Sequence, residues 1–564
     1  MTEDAILTAS RLNRLALAGL LLLPILFYLW MGPQNHGSDD SAYGQLSWQL
    51  AQGEFTMQPH HFHKRFTVLL PTSLLFRLFG VQGYTVTLWP LLSGLGLTAL
   101  VFWFTARHAG PLAGGLAALL LACNPQFTSL SVWLNGDLPL GCFLFAALVL
   151  LHLGRNAPQA KTQIWTGAGL ALAFWIAFFA KETAIWILPI VAGLFFRDLL
   201  RRRARPFWIA SGVVGVALLG LMLLGYGWFT GQPLYHFTAN QSLYQALSIV
   251  GDLRSQPGWE RLLRIPFATL LGESGLLLPL LLAAAAWFYF RPAGEEARRG
   301  ALGLMTGFSF FFLAMLWFSS IALTSYMLMY FYPRFLFPVL PAASVAGGMF
   351  LAVLLSPPPP GQEARLQRWR VGFLLVGVLT MVLLWGLNYW KMWVLPLLLP
   401  VALAAAWSRW GGGRTLHRLG PPLLMALALI GLDLRHVWTM GQQWPSFVNA
   451  LQVKRALVEA RLGGVNDAVW ILTDPRSARA LTWLTGLGLK GGDPPLVGFA
   501  PWDKTPPDAT GTTWLLVNRE RPHPEESAPP SSLVGDWGAW RLLEMRLGIY
   551  LYQRQEGGAS STIE

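Results

Sequence analysis

Charge is scarce in this chain. Of its 564 residues only 12% are Asp, Glu, Lys or Arg, against 54% that are hydrophobic. A soluble domain carries about 25% charged residues, so the composition excludes that class. With a mean hydropathy of +0.46, the chain reads as an integral membrane protein. Cysteine is scarcer still. Cys123 and Cys142 are the whole complement, and both lie in apolar runs, so neither a disulfide framework nor a Cys-based metal site is indicated. A P-loop, a dinucleotide fingerprint, a G-x-S-x-G elbow and a helical H-E-x-x-H are also missing. ATP-driven transport and serine or zinc hydrolysis therefore lack their usual machinery.

The formal net charge is +13, but the cations sit in short loops between apolar runs. The positive-inside rule puts them there, and nucleic-acid binding gains nothing from them. Trp and Phe, 27 and 34 in number, fit interfacial aromatic belts. Runs long enough to cross the hydrocarbon, about 20 apolar residues each, predict a polytopic α-helical protein of about thirteen transmembrane helices. They lie near 12–31, 84–105, 110–124, 130–152, 163–180, 183–199, 206–229, 266–290, 301–328, 333–355, 371–389, 393–409 and 420–440. The first follows Arg11 and Arg14 without a small-x-small cleavage pattern, and reads as a retained anchor.

Arg107, Arg155, Lys161, Arg197 to Arg205, Arg291 to Arg299, Arg365 to Arg370 and Arg409 to Arg418 fall in alternate loops. An N-terminus inside a cytoplasmic (inner) membrane satisfies nearly all of them. Outside are then the 32–83 loop, the turn at Lys181-Glu182, the 230–265 loop with Tyr235 and His236, the turn at Tyr330 to Arg334, and the tail. The 230–265 loop reads as a mobile or substrate-covering segment. Composition changes near 441. Residues 468–474, 513–517 and 547–552 read as strands and 452–462 as a helix. The expected organisation is a transmembrane domain over 1–440 and a small periplasmic or extracellular α/β domain over 441–564.

The polar residues concentrate on that outer side. Asp39 and Asp40 follow the first span: they are solvated residues capping the next helix, or a general base for a hydroxyl with its neighbour holding it or a metal. His60, His61, His63, Lys64 and Arg65 come some twenty residues later. They suit contact with anionic lipid headgroups, a metal site, or a cradle in which Arg forks and Lys supplies a point charge to a phosphate. Asp137, in Asn135-Gly136-Asp137 near the outer end of a span, is functional by default, because ionisable residues there are costly. Lys181-Glu182 reads as an internal salt bridge or as a lysine reaching a lipid-linked phosphate. Tyr332-Pro333-Arg334 reads as an interfacial anchor or a second phosphate ligand.

The order of these stretches resembles the GT-C superfamily of membrane glycosyltransferases, in particular the branch of protein O-mannosyltransferases and the aminoarabinose lipid A transferase. The resemblance covers 1–440. It rests on Asp39-Asp40-x-x-Tyr43, Leu75-Phe76-Arg77-Leu78-Phe79-Gly80, Asn124-Pro125 followed by Asp137, Lys181-Glu182, and Tyr332-Pro333-Arg334-Phe335-Leu336-x-Pro338-x-x-Pro341. It implies a sugar donor on a polyprenyl phosphate, an external acceptor (glycan, lipid or protein), and inverting displacement. Asp39 would be the base and Asp40 its partner. Lys181, Arg334, Lys64, Arg65 and Tyr332 would serve the donor phosphate, and Asp137, Glu182, His60, His61, His63 and Tyr43 would support the site. A divalent metal is the one cofactor left open, with no ligand set assigned. The aminoarabinose branch often has an acid-Lys-Pro-Pro stretch where this chain has His63-Lys64-Arg65-Phe66, which argues against assuming lipid A as acceptor. Two other classes remain. A transporter or flippase of a lipid-linked or anionic substrate predicts charges on both sides of the midplane and internal symmetry. A scaffold predicts that Asp39, Asp137 and Lys181 are each dispensable.

Overall fold

The computed structural model describes residues 17–30, 39–58, 60–238, 259–270, 275–290, 296–318, 333–356, 364–369 and 371–372, together with five strands between 469 and 554. Among these residues, 6 helical stretches are long and apolar enough to cross a bilayer. They are α4 (Gly83–Ala109), α7 (Asp137–Asn156), α8 (Ala160–Ala180), the stretch Glu182–Leu200 that ends in α9 (Leu188–Leu200), α10 (Arg205–Thr230), and Arg298–Phe318. Shorter apolar helices accompany them: α1 (Leu17–Trp30), α3 (Phe66–Phe79), α5 (Pro111–Ala122), Leu277–Phe290 and Val339–Leu355. The chain is thus a mostly helical, multi-pass membrane protein. The expected spans at 371–389, 393–409 and 420–440 lie outside the described residues, apart from 371–372.

Two sequence readings change in detail. The 32–83 stretch is largely helical: α2 (Asp39–Gln52), a one-turn 3-10 helix (His61–Lys64) and α3 follow one another, and α2 packs along α3. The α3 run is bounded by Lys64-Arg65 and interrupted by Arg77, so it is too short to read as a full span. The expected span at 130–152 is broken: α6 (Pro125–Ser131) ends early and α7 begins only at Asp137.

The bundle is held by close helix packing. α7 pairs with α8, α8 with α10, α4 with α5, and α5 with the almost wholly buried helix Val339–Leu355. Apolar lipid offers no hydrophobic drive for helices to associate, so small residues that let backbones approach do that work. At Gly167 a Cβ would fall 2.2 Å from the Phe207 carbonyl oxygen; only a residue without one lets α8 and α10 meet there.

The two ends of the bundle differ in charge. One end carries Arg107, Arg155, Arg197 to Arg203 and Arg298 at helix termini. There Arg155 Nη2 lies 2.6 Å from Asp198 Oδ1, Trp208 Nε1 donates to Asp198 Oδ2 at 3.1 Å, and Arg298 Nε donates to the His108 carbonyl at 3.2 Å. The opposite end holds the start of α7 and the end of α8, where acids and bases are mixed.

Toward the C-terminus, β1 (Val469–Thr473), β2 (Val497–Pro501), β3 (Thr512–Asn518), β4 (Trp540–Arg546) and β5 (Ile549–Arg554) form one sheet in the order β2-β1-β3-β5-β4. β1 is parallel to β2 and β3, and β5 is antiparallel to β3 and β4. The strands read at 468–474, 513–517 and 547–552 are present as β1, β3 and β5. β2 and β4 were not anticipated: Gly498 and Pro501 break up the first, and Arg541, Glu544 and Arg546 dilute the second. The expected helix 452–462 lies outside the described residues.

Candidate active site

The site begins where α7 starts. The Asn135 side-chain oxygen accepts from the backbone nitrogens of Asp137 at 2.9 Å and Leu138 at 3.1 Å, capping the helix. Asp137 therefore sits in the first turn, where the helix dipole favours a carboxylate. Gly136, just before it, lies against the end of α8: a Cβ there would be 2.7 Å from the Ala180 carbonyl oxygen. That closeness brings Asp137 to Lys181, and the two form a buried ion pair. Lys181 also lies over the Phe335 ring, 3.6 Å from its centre. Burial pulls the Lys181 ammonium down to about 8, and Asp137 opposes that pull.

Arg334 joins this pair to Asp39. It sits on the 3-10 turn Pro333–Leu336, with Nη2 2.8 Å from Asp39 Oδ2 and Nε 3.8 Å from Asp137 Oδ2. Its guanidinium lies 5.1 Å from the centre of the Trp133 ring and 5.4 Å from that of Phe335. Burial disfavours the charge, yet Asp137 and Asp39 together hold Arg334 above its ordinary value. Asp39, Arg334, Asp137 and Lys181, remote in sequence, thus form one chain of alternating charge. Asp40 is fully buried beside Asp39.

A second network adjoins the first. Lys64, fully buried, lies 3.2 Å from Glu182 Oε1 and donates to the His236 carbonyl at 2.6 Å. His236 Nε2 is 4.0 Å from the same Glu182 oxygen, and its Nδ1 is 3.0 Å from the Tyr226 hydroxyl. Burial, helped by Lys64, lowers His236 to about 4, so the ring is neutral. Arg65 donates to the Tyr43 hydroxyl and packs over the Tyr43 and Phe62 rings at 5.8 and 5.9 Å. A Cβ on Gly136 would meet Arg65 Nη1 at 3.6 Å, so Arg65 reaches the edge of the first network.

The three histidines do not converge on a ligand position. His60 caps the basic turn by accepting from the Phe62 nitrogen at 3.4 Å, and its ring stacks on His61 at 4.4 Å. His63 Nδ1 lies 2.9 Å from the Thr56 carbonyl. Burial lowers all three imidazoles. Among the described residues no three His, Cys, Asp or Glu side chains are grouped to hold a metal ion. Tyr332 lies outside the described residues.

Lys181 and Glu182 do not pair with each other. Lys181 has extended backbone, φ −165° and ψ 137°, which sends neighbouring side chains to opposite sides. Lys181 consequently joins the Arg334 network and Glu182 the Lys64 network. Sequence reading missed Trp133, Phe335 and Tyr226. Trp133 stands two residues before the capping Asn135 and Phe335 directly follows Arg334, so proximity to the polar motifs was the available signal; Tyr226 gave none beyond being a hydroxyl in an apolar helix.

The family of dolichyl-phosphate-mannose-protein mannosyltransferases matches residues 67–225, a stretch that includes Asp137, Lys181 and Glu182 but not Asp39, Lys64 or Arg334. The crystal structure of ArnT from Cupriavidus metallidurans in the apo state superposes with a TM-score of 0.58 at 15% identity, over 97% of this chain and 98% of that one. ArnT bound to undecaprenyl phosphate superposes with a TM-score of 0.56 at 15% identity, over 98% and 100%. The archaeal oligosaccharyltransferase AglB from Archaeoglobus fulgidus gives 0.45 at 12% identity, over 84% and 63%. No curated protein matches in sequence. The family match over 67–225 and the ArnT-like fold make the chain similar to membrane glycosyltransferases. Among them the chain resembles the GT-C proteins of the ArnT and protein O-mannosyltransferase kind.

Proposed function

We propose that this protein transfers a sugar from a polyprenyl phosphate to an acceptor hydroxyl on the outer face of the cytoplasmic membrane, with inversion at the anomeric carbon. One observation carries the reading: a carboxylate suited to be a base, Asp39, is joined through Arg334 to the buried pair Asp137–Lys181, at the end of the bundle away from the arginine-rich termini. The undecaprenyl phosphate in the ArnT complex supports a lipid-linked donor. Positive-inside orientation supports an inside N-terminus and an external site. The thirteen-span reading and the division into 1–440 and an outer 441–564 domain belong to the same proposal.

The acceptor hydroxyl gives its proton to Asp39 as its oxygen bonds to the anomeric carbon. The bond from that carbon to the phosphate oxygen breaks, and polyprenyl phosphate leaves. A phosphodiester with one negative charge thereby becomes a monoester with up to two. The groups that matter most are those that meet the charge as it develops. Lys181 and Arg334 are placed for this, with Arg65 and Lys64 at the edge of the same site. Asp137 orients Lys181 and Arg334, Asp40 and Tyr43 hold the position of Asp39, and the histidines shape the basic turn.

The test is transfer by purified protein from a panel of synthetic polyprenyl-phosphate sugars, with wild type beside Asp39→Asn. Loss of about a hundredfold or more in the variant is expected for a general base. Equal transfer by both proteins would remove Asp39 from the role, and transfer from no donor would remove the class of reaction.

A further inference from the structure

Arg334 reaches both the base, Asp39, and Asp137, the group that orients the phosphate lysine. Its side chain is 22% exposed and that of Asp39 is 28% exposed, against 4% for Asp137 and 8% for Lys181. Near Asp39, burial keeps the Tyr43 hydroxyl protonated and lowers the His60 imidazole, and Asp40 lies beside it, fully buried. The carboxylate that must accept a proton is thus engaged by a guanidinium. With Arg334 Nη2 2.8 Å from Oδ2, that oxygen is taken up by a guanidinium where the acceptor hydroxyl would have to approach.

Resting on the reading above, we propose that Arg334 is exchanged between Asp39 and the donor phosphate, so that the base is released only when the donor is in place. The surroundings allow this movement. The rings of Trp133 and Phe335 flank the guanidinium, and a flat cation sliding along aromatic faces keeps its attraction to them. Asp137 is not stranded when Arg334 turns away, since Lys181 remains on its other oxygen and the start of α7 favours its charge. A phosphate offers the bidentate partner that a guanidinium fits best, and the contact it would replace, Arg334 to Asp39 at 2.8 Å, is between two partly exposed side chains. The consequence is an ordered reaction: lipid donor first, acceptor second.

The exchange is tested by a double-mutant cycle on lipid phosphate binding, with full-length protein, undecaprenyl phosphate as probe, and Asp39→Asn, Arg334→Gln and the double variant beside wild type. If Asp39 and phosphate compete for Arg334, Asp39→Asn tightens binding by about five- to tenfold in the wild-type background and by less than about twofold when Arg334 is already Gln. Equal tightening in both backgrounds would mean that Asp39 merely repels the phosphate, and no tightening in the wild-type background would mean that Arg334 serves both groups at once. Either result overturns the exchange. Arg334→Met takes the place of Arg334→Gln if the latter does not fold. Wild type that binds no lipid phosphate at all would instead overturn the donor class beneath it.

Discussion

The two ion networks of the site use the same chemical parts to different ends. Around Arg334, acids and bases alternate at a partly open surface, with Asp39 and Arg334 retaining access to solvent. Around Lys64 the ammonium is fully buried and gripped by Glu182 and the His236 carbonyl. An ion pair near water gives up little when a ligand replaces one partner, while a buried pair that loses a partner leaves a charge with nothing to offset its desolvation. The first arrangement is suited to exchange and the second to holding the basic turn against α8 and α10. The difference teaches that the same residue types serve exchange at the partly open Arg334–Asp39 contact and structure around the fully buried Lys64 ammonium.

Four substitutions or conditions sharpen that contrast. The largest effect belongs to Asp39→Asn, expected to reduce turnover by about a hundredfold or more while leaving thermal stability near wild type; a matching loss of stability would place Asp39 in the second category. Lys64→Met should do the reverse in character. It is expected to cost about 3 kcal/mol of stability, at the low end for breaking a buried pair because Glu182 keeps some solvent access, as read by thermal unfolding in detergent. A third effect is of pH. Burial lowers Lys181 to about 8, so the ammonium is intact below that value and lost above it. Donor kcat/KM, which reports the free enzyme, should fall by about tenfold per unit well above pH 8, and Lys181→Arg should carry the plateau to higher pH. The smallest effect is expected of His61→Gln, since the His61 ring packs on His60 and Phe62: less than about 1 kcal/mol in turnover, as for a residue outside the reacting set. A large loss there would revive the histidine cluster as a ligand site.

Much of this was legible in the chain itself. Spans α4, α7, α8 and α10 show as apolar runs because the bilayer demands length and composition together, and the outer polar motifs stand out against so little charge. What the sequence leaves open is partnership. Lys181 and Glu182 are adjacent, so an internal pair was a natural reading; their true partners, Asp137 and Lys64, are separated from them by whole helices, and only the packing of α7 and α3 on α8 brings them near. The aromatic walls, Trp133 and Phe335, are marked only by standing next to polar motifs, a weak signal in a chain so rich in rings. The 32–83 stretch was read for its charges and for a helix following Asp39-Asp40, which is present as α2, while the packing of α2 along α3 was not legible.

The extended residue at Lys181 has one more consequence, for how this chain can vary in length. Because direction alternates at that point, adding or removing a single residue next to it would not simply lengthen or shorten a turn. It would turn the glutamate toward Asp137 and the lysine toward Lys64, setting like charge against like in both networks. Substitutions can be absorbed around the pocket one at a time, but a change of register at this peptide would damage both halves in one step.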